Sequence, residues 1–363
     1  MSIVRKESLE FLRDLLNTPS PGGYESAIQQ RWCDYLRPFA DELHTDAYGN
    51  AVAVLNPRGS PRVLLDGHCD EIALMVKHID DRGFLYFQPV GGIDASQLRA
   101  KRVDIHTEKG VVRGVVGATP GWLLGKIQEG KDQKAPKVHE CWIDIGVRDG
   151  RKARKQVSVG DPITFADRFE LLNRNVAVAR ACDDRIGVWL AAEAFRLAAA
   201  GQPRCAVFAS SSVQEETGCH GAHMVVERFT PDVALALEVT HATDSPGLDP
   251  ALFGKVTLGG GPTVSIGREN HPVVVKRLQK IARTRKLPLQ VETFSLLGGT
   301  NARVFWIAKG GIPSAVIGVP DRYMHSTVEM VDLRDVENTA ALVAAFCLDL
   351  KPGEVFRVQV TQR

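Results

Sequence analysis

Acidic and imidazole side chains recur where the apolar, strand-like runs of this sequence end. The runs are followed or closed by His68-Cys69-Asp70, Gln214-Glu215-Glu216, Glu238 and His325, and a further acidic pair, Asp183-Asp184, opens a helical pattern. Ligands of open α/β sheets bind beyond the carboxyl ends of the strands. We therefore expect these five segments to meet at one edge of a sheet.

Such a cluster is costly without a cation, because neighbouring carboxylates raise one another's pKa. A bound divalent metal removes that penalty. Imidazole together with carboxylate favours zinc, cobalt or manganese, whereas calcium and magnesium prefer oxygen ligands alone. Each motif also has a structural interpretation, such as a helix cap or a solvated loop. The joint placement of all five favours the metal site.

Spacing gives some of these residues a more specific role. In an extended chain residues two apart share a face, so Asp70 can contact the imidazole of His68 and fix its tautomer. Glu215 and Glu216 are adjacent, so one can bind metal while the other serves as a general base. Residue types alone do not show which of the two glutamates has which role.

Hydrophobic patterning predicts the elements that must position these side chains. Helical periodicity covers residues 9–16 and 25–36, an apolar strand-like run follows at 51–55, and short β-like runs and turns fill about 73–165. From 184 onward helices alternate with apolar strands, including a strand at 290–294 and a last helix at 333–349. The alternation predicts an α/β domain with a mixed, largely parallel sheet between helices. We expect residues 1–72 and 167–363 to form it, with an all-β insert at 73–166.

Composition excludes several classes of protein. The 363 residues carry 45 Lys and Arg against 43 Asp and Glu, a net charge of +2 that gives no electrostatic case for nucleic acid or an anionic membrane. Charges interrupt residues 1–16, so no secretory signal is expected, and no run approaches the ~18 apolar residues of a membrane span. Seven scattered cysteines without a C-x-x-C pair indicate reduced thiols and a cytoplasmic protein.

The ordered set of motifs resembles the dinuclear metallo-aminopeptidases of metallopeptidase family forty-two, which include glutamyl and tetrahedral aminopeptidases. The resemblance rests on His68-x-Asp70, Asp183-Asp184-Arg185-x-Gly187, Gln214-Glu215-Glu216-x-Gly218, the Val-Thr-His run after Glu238, and His325-Ser326-x-x-Glu329. It extends through the insert, with Gly83-Phe84-Leu85, Gly91-Gly92 and Gly160-Asp161. It implies a zinc-peptidase-like α/β domain interrupted by a barrel-like dimerisation domain.

The resemblance also implies residue roles. His68 and Glu238 would hold one metal, Glu216 and His325 the other, and Asp183 would bridge both. Glu215 would be the general base on a water shared by the two metals, and Asp70 would orient His68. Two divalent ions per chain, with zinc first and cobalt or manganese as alternatives, would support hydrolysis of the N-terminal amide bond of short peptides.

The implied assembly is a dimer formed through the insert, with dimers able to build a dodecamer. We expect Gly299, Thr300, Asn301 and His241 to line the substrate cleft.

Two positions depart from the family pattern. The family usually has Asp where this chain has Glu238, and Gly-Thr-Asp-Ala where it has Gly299-Thr300-Asn301-Ala302. Losing an acid near the cleft questions the need for a free amine, so a blocked peptide or small amide is an alternative substrate.

Two other functions are compatible with part of this residue set. A glycoside hydrolase could use paired carboxylates, but it leaves His68 and His325 without a role. A non-catalytic metal-binding assembly protein would need no free base such as Glu215.

Overall fold

The computed structural model describes residues 5–120, 136–293 and 299–360. The α-helices are α1 (Lys6–Asn17), α2 (Ser26–Leu36), α3 (Gly150–Arg154), α4 (Cys182–Gly201), α5 (His220–Phe229), α6 (Pro250–Phe253), α7 (Pro272–Arg285), α8 (Ala302–Phe305) and α9 (Leu333–Asp349). The strands are β1 (Glu42–Thr45), β2 (Ala51–Leu55), β3 (Arg62–His68), β4 (Ala73–Ile79), β5 (Leu85–Val90), β6 (Arg102–Thr107), β7 (Gly110–Ala118), β8 (Cys141–Asp144), β9 (Pro162–Phe165), β10 (Glu170–Leu171), β11 (Val176–Ala179), β12 (Ala206–Ser212), β13 (Val233–His241), β14 (Thr263–Ile266), β15 (Gln290–Thr293), β16 (Ser314–Arg322) and β17 (Glu329–Asp332).

A large mixed sheet forms the centre of the molecule. Its strand order is β1-β2-β12-β3-β13-β16-β17-β11-β10, with β14 and β15 attached beside β16. The four central strands β12, β3, β13 and β16 run parallel, and the flanking strands add antiparallel. Because parallel strands share one direction, the carboxyl ends of these four strands lie at one edge.

Helices cover both faces of this sheet, as the sequence predicts. Side chains alternate across β3: Val63 and Leu65 enter the core shared with α1, α2, α4 and α9, whereas Leu64 enters the core shared with α5 and α8. Both faces of a central parallel strand are therefore buried, which explains its nearly continuous apolar run. None of the described helices has the length and apolarity needed to cross a membrane.

The stretch between β3 and β10 forms a closed barrel. Its strand order is β4-β5-β8-β7-β6-β9, and β9 returns to pair with β4, where Leu74 lies opposite Ile163. The barrel encloses its own apolar core, which includes Leu85, Ile105 and Ile143. A barrel-like insert with its own core is the architecture that the resemblance implied.

Helix α4 lies directly against the sheet because two glycines remove intervening side chains. A Cβ atom on Gly67 would lie 2.3 Å from the carbonyl carbon of Gly187, and one on Gly187 would lie 2.1 Å from the Leu237 oxygen. Both distances are far below van der Waals contact, so only glycine fits at either position. This contact brings the start of α4, with Asp183, to the carboxyl edge of β3.

The bounds of β2 match the predicted strand, and α9 matches the predicted helix. The predicted strand at 290–294 ends at Thr293, and position 294 lies outside the described residues. Helix α5 was not predicted. Its sequence begins His-Gly-Ala-His, in which histidine and glycine are weak helix formers, so tertiary packing decides the conformation there.

Candidate metal centre

His68, the last residue of β3, lies at the centre of the acidic cluster. Its side chain is buried, and its Nε2 lies 3.3 Å from Asp183 Oδ1, 3.8 Å from Glu215 Oε2 and 3.8 Å from Glu238 Oε2. These carboxylates come from the start of α4, the loop after β12, and β13. The predicted convergence of separate segments is therefore present around one imidazole.

His325, in the loop after β16, faces the other side of Asp183. Its Nε2 lies 3.1 Å from Asp183 Oδ2 and 3.6 Å from Glu216 Oε1. Its Nδ1 lies 3.1 Å from the Gly92 carbonyl oxygen at the end of the β4–β5 hairpin. Asp183 thus directs one oxygen to each imidazole, and the barrel supplies a backbone contact that orients His325.

Asp70 connects the end of β3 to the loop that carries both glutamates. Its Oδ1 accepts a hydrogen bond from the Glu215 N–H at 2.9 Å, and its Oδ2 accepts one from the Glu216 N–H at 3.1 Å. The same Oδ1 lies 3.3 Å from His68 Nδ1. Asp70 therefore lies where it can orient both the imidazole and the glutamate loop.

Two further acids support the cluster, although sequence reasoning gave them no specific role in it. Glu329 accepts hydrogen bonds from the backbone N–H of Asp183 at 3.0 Å and of His325 at 2.9 Å, so it joins two of the site's segments. Asp184 accepts from the Gly187 N–H at 2.9 Å and from the His68 N–H at 3.3 Å. In the sequence, Glu329 belongs to the motif that begins at His325, and Asp184 is the second residue of the paired aspartates, so these two motifs were the indications that both acids lie near the site.

Burial and mutual repulsion shift the proton affinity of these groups. Burial, reinforced by the Asp183 charge, raises the pKa of Glu216 to about 8, and burial raises the pKa of Glu238 well above its usual value. The hydrogen bond to Asp183 raises the pKa of His325 to about 9. Burial raises the pKa of Asp183, but the hydrogen bonds from His325 and His68 outweigh it and leave that pKa below its usual range.

The donor set fits divalent cations. Two groups of side chains bring their ligand atoms within 4.8 Å of one another: His68, Asp183 and Glu216 form one, and His68, Asp184 and Glu238 form the other. Glu216 Oε1 is buried and accepts no hydrogen bond from the described residues, as expected of an atom that faces a ligand. Mixed nitrogen and oxygen donors of this kind suit zinc, cobalt or manganese.

The cluster opens into a cavity of about 470 Å³. Of the residues predicted to contact substrate, Gly299, Thr300 and His241 line it. Arg303 also lines this cavity, although no motif of the sequence points to it. One face of the cavity is thus strongly acidic, while a guanidinium lies among its other lining groups.

Asn301 lies behind the cavity wall and is only 1% exposed. Its side-chain nitrogen donates to Asp66 Oδ2 at 2.7 Å, and its backbone N–H donates to Glu238 Oε1 at 3.3 Å. Against the family pattern, this position has lost an acid. The structure places the carboxyl group of Asp66 against it.

Cys219 contacts Glu215, the candidate general base. Its Sγ donates to Glu215 Oε1 at 3.2 Å, leaving Oε2 on the side of His68. Burial raises the pKa of this thiol, which keeps it protonated and able to donate. The thiol therefore helps to fix how the Glu215 carboxylate is turned.

Comparison with known proteins gives consistent matches. Residues 49–342 match the family model described as M42 glutamyl aminopeptidase. A lysyl aminopeptidase from Pyrococcus furiosus is 35% identical over 352 residues, which cover 94% of this chain and 97% of that protein.

Solved structures agree with this result. A TET aminopeptidase from a marine sediment Thaumarchaeota archaeon superposes with a TM-score of 0.89 at 32% identity, covering 95% of this chain and 96% of that one. The TET1 peptidase of Pyrococcus horikoshii, which can assemble into a tetrahedron or a large octahedral shell, gives 0.82 at 30% identity over 94% and 100% of the two chains.

Proposed function

This chain belongs to the M42 glutamyl aminopeptidase family of metal-dependent peptidases, and we propose that it is a dinuclear aminopeptidase that hydrolyses the N-terminal amide bond of short peptides. The observation that carries this proposal is the position of Asp183 between two imidazoles, with 3.3 Å from Oδ1 to His68 and 3.1 Å from Oδ2 to His325. A carboxylate with one oxygen directed to each side is suited to bridging two ions.

The remaining ligands divide between the two sides of Asp183. His68 and Glu238 would hold one ion, and His325 and Glu216 the other, with zinc, cobalt or manganese as the metal. When bound, two such ions lower the pKa of a water molecule and polarise the scissile carbonyl. Asp70 would keep His68 in place through its contact with Nδ1.

Glu215 is the group that would move protons. Burial raises its pKa, which suits a carboxylate that takes a proton from the attacking water and then gives it to the leaving amine. Its backbone is fixed by Asp70 and its Oε1 by Cys219, so Oε2 is held toward the cavity. Glu216, whose Oε1 lies 3.6 Å from His325, is better placed as the ligand of the pair.

A free N-terminal amine is expected to be required. The relatives that match this chain are named aminopeptidases, and acetylation would remove the charge of the amine that such an enzyme recognises. We expect N-acetyl aminoacyl anilides to be cleaved with kcat/KM roughly 10- to 100-fold below the free forms, the value of a hydrogen bond to a charged group. The measurement is kcat/KM for matched free and acetylated anilides, with metal content determined on the same sample.

Equal cleavage of free and acetylated anilides would favour a blocked amide as the substrate. That alternative depended on an acid missing at position 301. Because the Asp66 carboxyl group lies against Asn301, the structure gives the blocked-amide alternative no further support. About two metals per chain together with a clear preference for the free amine is the result expected of the proposed enzyme.

We also propose that the insert, residues 73–166, is a dimerisation domain and that dimers can build a dodecamer. Val111 and Val115 on β7 leave 57% and 47% of their surface exposed, an apolar surface that a second copy could cover. Sedimentation velocity is expected to give a mass at least twice the 39.7 kDa of one chain. A single species of 39.7 kDa at all concentrations would contradict this assembly.

A further inference from the structure

A buried polar network lies beneath Glu238, outside the residues that would contact metal or substrate. Asp66 in β3 is fully buried and accepts hydrogen bonds from the Ser210 hydroxyl, from the Ser212 hydroxyl at 3.3 Å and from the Asn301 amide nitrogen at 2.7 Å. Buried polar groups cost stability unless they are hydrogen-bonded, so a network of this size inside the sheet needs a reason.

The network leads directly to Glu238. Asn301 Nδ2 donates to two acceptors, Asp66 Oδ2 and Ser212 Oγ, the latter at 2.9 Å. With its side chain held at two points, the Asn301 backbone N–H donates to Glu238 Oε1 at 3.3 Å. Glu238 Oε2 is then left on the side of His68, 3.8 Å from Nε2.

Side-chain length explains why such a device is useful. Glutamate has one more rotatable bond than the aspartate usual at this position in the family, so its carboxylate is less constrained by the backbone. A hydrogen bond to one carboxylate oxygen restricts rotation of the whole carboxylate group and thereby fixes the direction of the other oxygen. We infer that Asp66 and Asn301 form a positioning pair that fixes the Glu238 carboxylate through the Asn301 backbone, a conclusion that rests on the proposed function only in taking Glu238 as a metal ligand.

The pair is an acid opposite an amide, and this complementarity determines which substitutions it tolerates. Asn301→Asp would place two acids 2.7 Å apart and remove the donor between them. Asp66→Asn would keep a donor and an acceptor but remove the acid. Making both changes restores an acid opposite an amide with the two partners exchanged, so the backbone N–H of residue 301 should return to its position against Glu238.

The test measures zinc affinity directly, on chelator-stripped full-length protein with a chromophoric competitor. Asn301→Asp is expected to weaken zinc binding by about 10- to 100-fold, the effect typical of losing a group that orients a ligand. The double variant is expected to return to within about 3-fold of wild type. Asp335→Asn is the matched control, because Asp335, like Asp66, is a buried acid with hydrogen-bond donors on its carboxylate. In Asp335 these donors are the backbone N–H groups of Gly259 and Gly261. This variant should lower the melting temperature without changing zinc affinity.

Two results would overturn the positioning pair: Asn301→Asp with the zinc affinity of wild type, or a double variant that binds zinc no better than its weaker parent. Should Asn301→Asp fail to fold, the comparison is between Asp66→Asn and the double variant, and the double variant must bind zinc more tightly. A wild-type chain that binds no zinc and cleaves no peptide refutes the proposed function instead. A wild type that does both, with unchanged affinity in the variants, refutes the pair alone.

Discussion

Replacing Glu215 by glutamine is expected to lower kcat by about 10³-fold while the protein keeps its metal and its fold. Loss of a general base costs between about 10² and 10⁴ in rate. Glutamine has nearly the same shape and the backbone of residue 215 is held by Asp70, so the loop should stay in place. Only the ability to take a proton from water is lost. Steady-state kinetics with a dipeptide and elemental analysis of the same preparation give both quantities.

The neighbouring substitution, Glu216→Gln, is the matched control. Glu216 lies 3.6 Å from His325 and has a buried oxygen directed at no described donor, so this variant is expected to lose metal as well as activity. The two variants assign separate roles to adjacent glutamates that residue types cannot distinguish. A Glu215→Gln variant that is active and fully loaded would remove Glu215 from the mechanism.

Removing the metal is expected to abolish activity and to make stability fall as pH rises from about 5 to 9. Glu216 and Glu238 have pKa values raised by burial, that of Glu216 to about 8. The folded chain therefore holds protons that the unfolded chain releases at lower pH, and each deprotonation favours unfolding. The raised pKa of His325, about 9, has the same sign, because its stabilising contribution disappears as the imidazole loses its proton.

Asp183 contributes with the opposite sign in a different range. Its pKa is lowered, so its stabilising contribution is complete above its usual pKa and is lost only on acidification. Between pH 5 and 9 the raised groups therefore determine the slope. Calorimetry of stripped protein should show the melting temperature falling by about 5 °C or more across this range.

Metal-loaded protein is the comparison for this experiment. Metal binds the deprotonated ligands and stabilises the folded state by mass action. The melting temperature of the loaded protein should therefore change less between pH 5 and 9 than that of the stripped protein. Parallel curves for the stripped and loaded protein would mean that the acidic cluster does not bind the metal.

The parts of the site that could be predicted are those encoded locally. A polar residue at the end of an apolar run identifies His68 and Glu238 as residues near the sheet edge, because strand direction and chain alternation fix where such residues lie. The periodicity of apolar residues likewise predicts strands and helices, and β2 and α9 have the predicted bounds.

The parts that could not be predicted depend on contacts between distant segments. Asp66 is in the same strand as His68, but nothing in the sequence shows that it lies 2.7 Å from Asn301, and no local pattern indicates that Arg303 lines the cavity. The barrel order β4-β5-β8-β7-β6-β9 is equally non-local. Pairing of strands that are not neighbours in sequence leaves no local pattern to recognise.

The return of β9 to β4 has a consequence for the chain that surrounds the barrel. The barrel interrupts the chain between His68 and Asp183, two of the groups that must meet. Because Leu74 and Ile163 are directly opposite in neighbouring strands, the insert holds its own entrance and exit together. The α/β domain therefore meets a short, closed connection instead of a long flexible loop, and little of the entropy of loop closure opposes assembly of the site. Apart from this pairing and the Gly92 contact with His325, the number of residues in the barrel has little effect on how easily His68 and Asp183 meet.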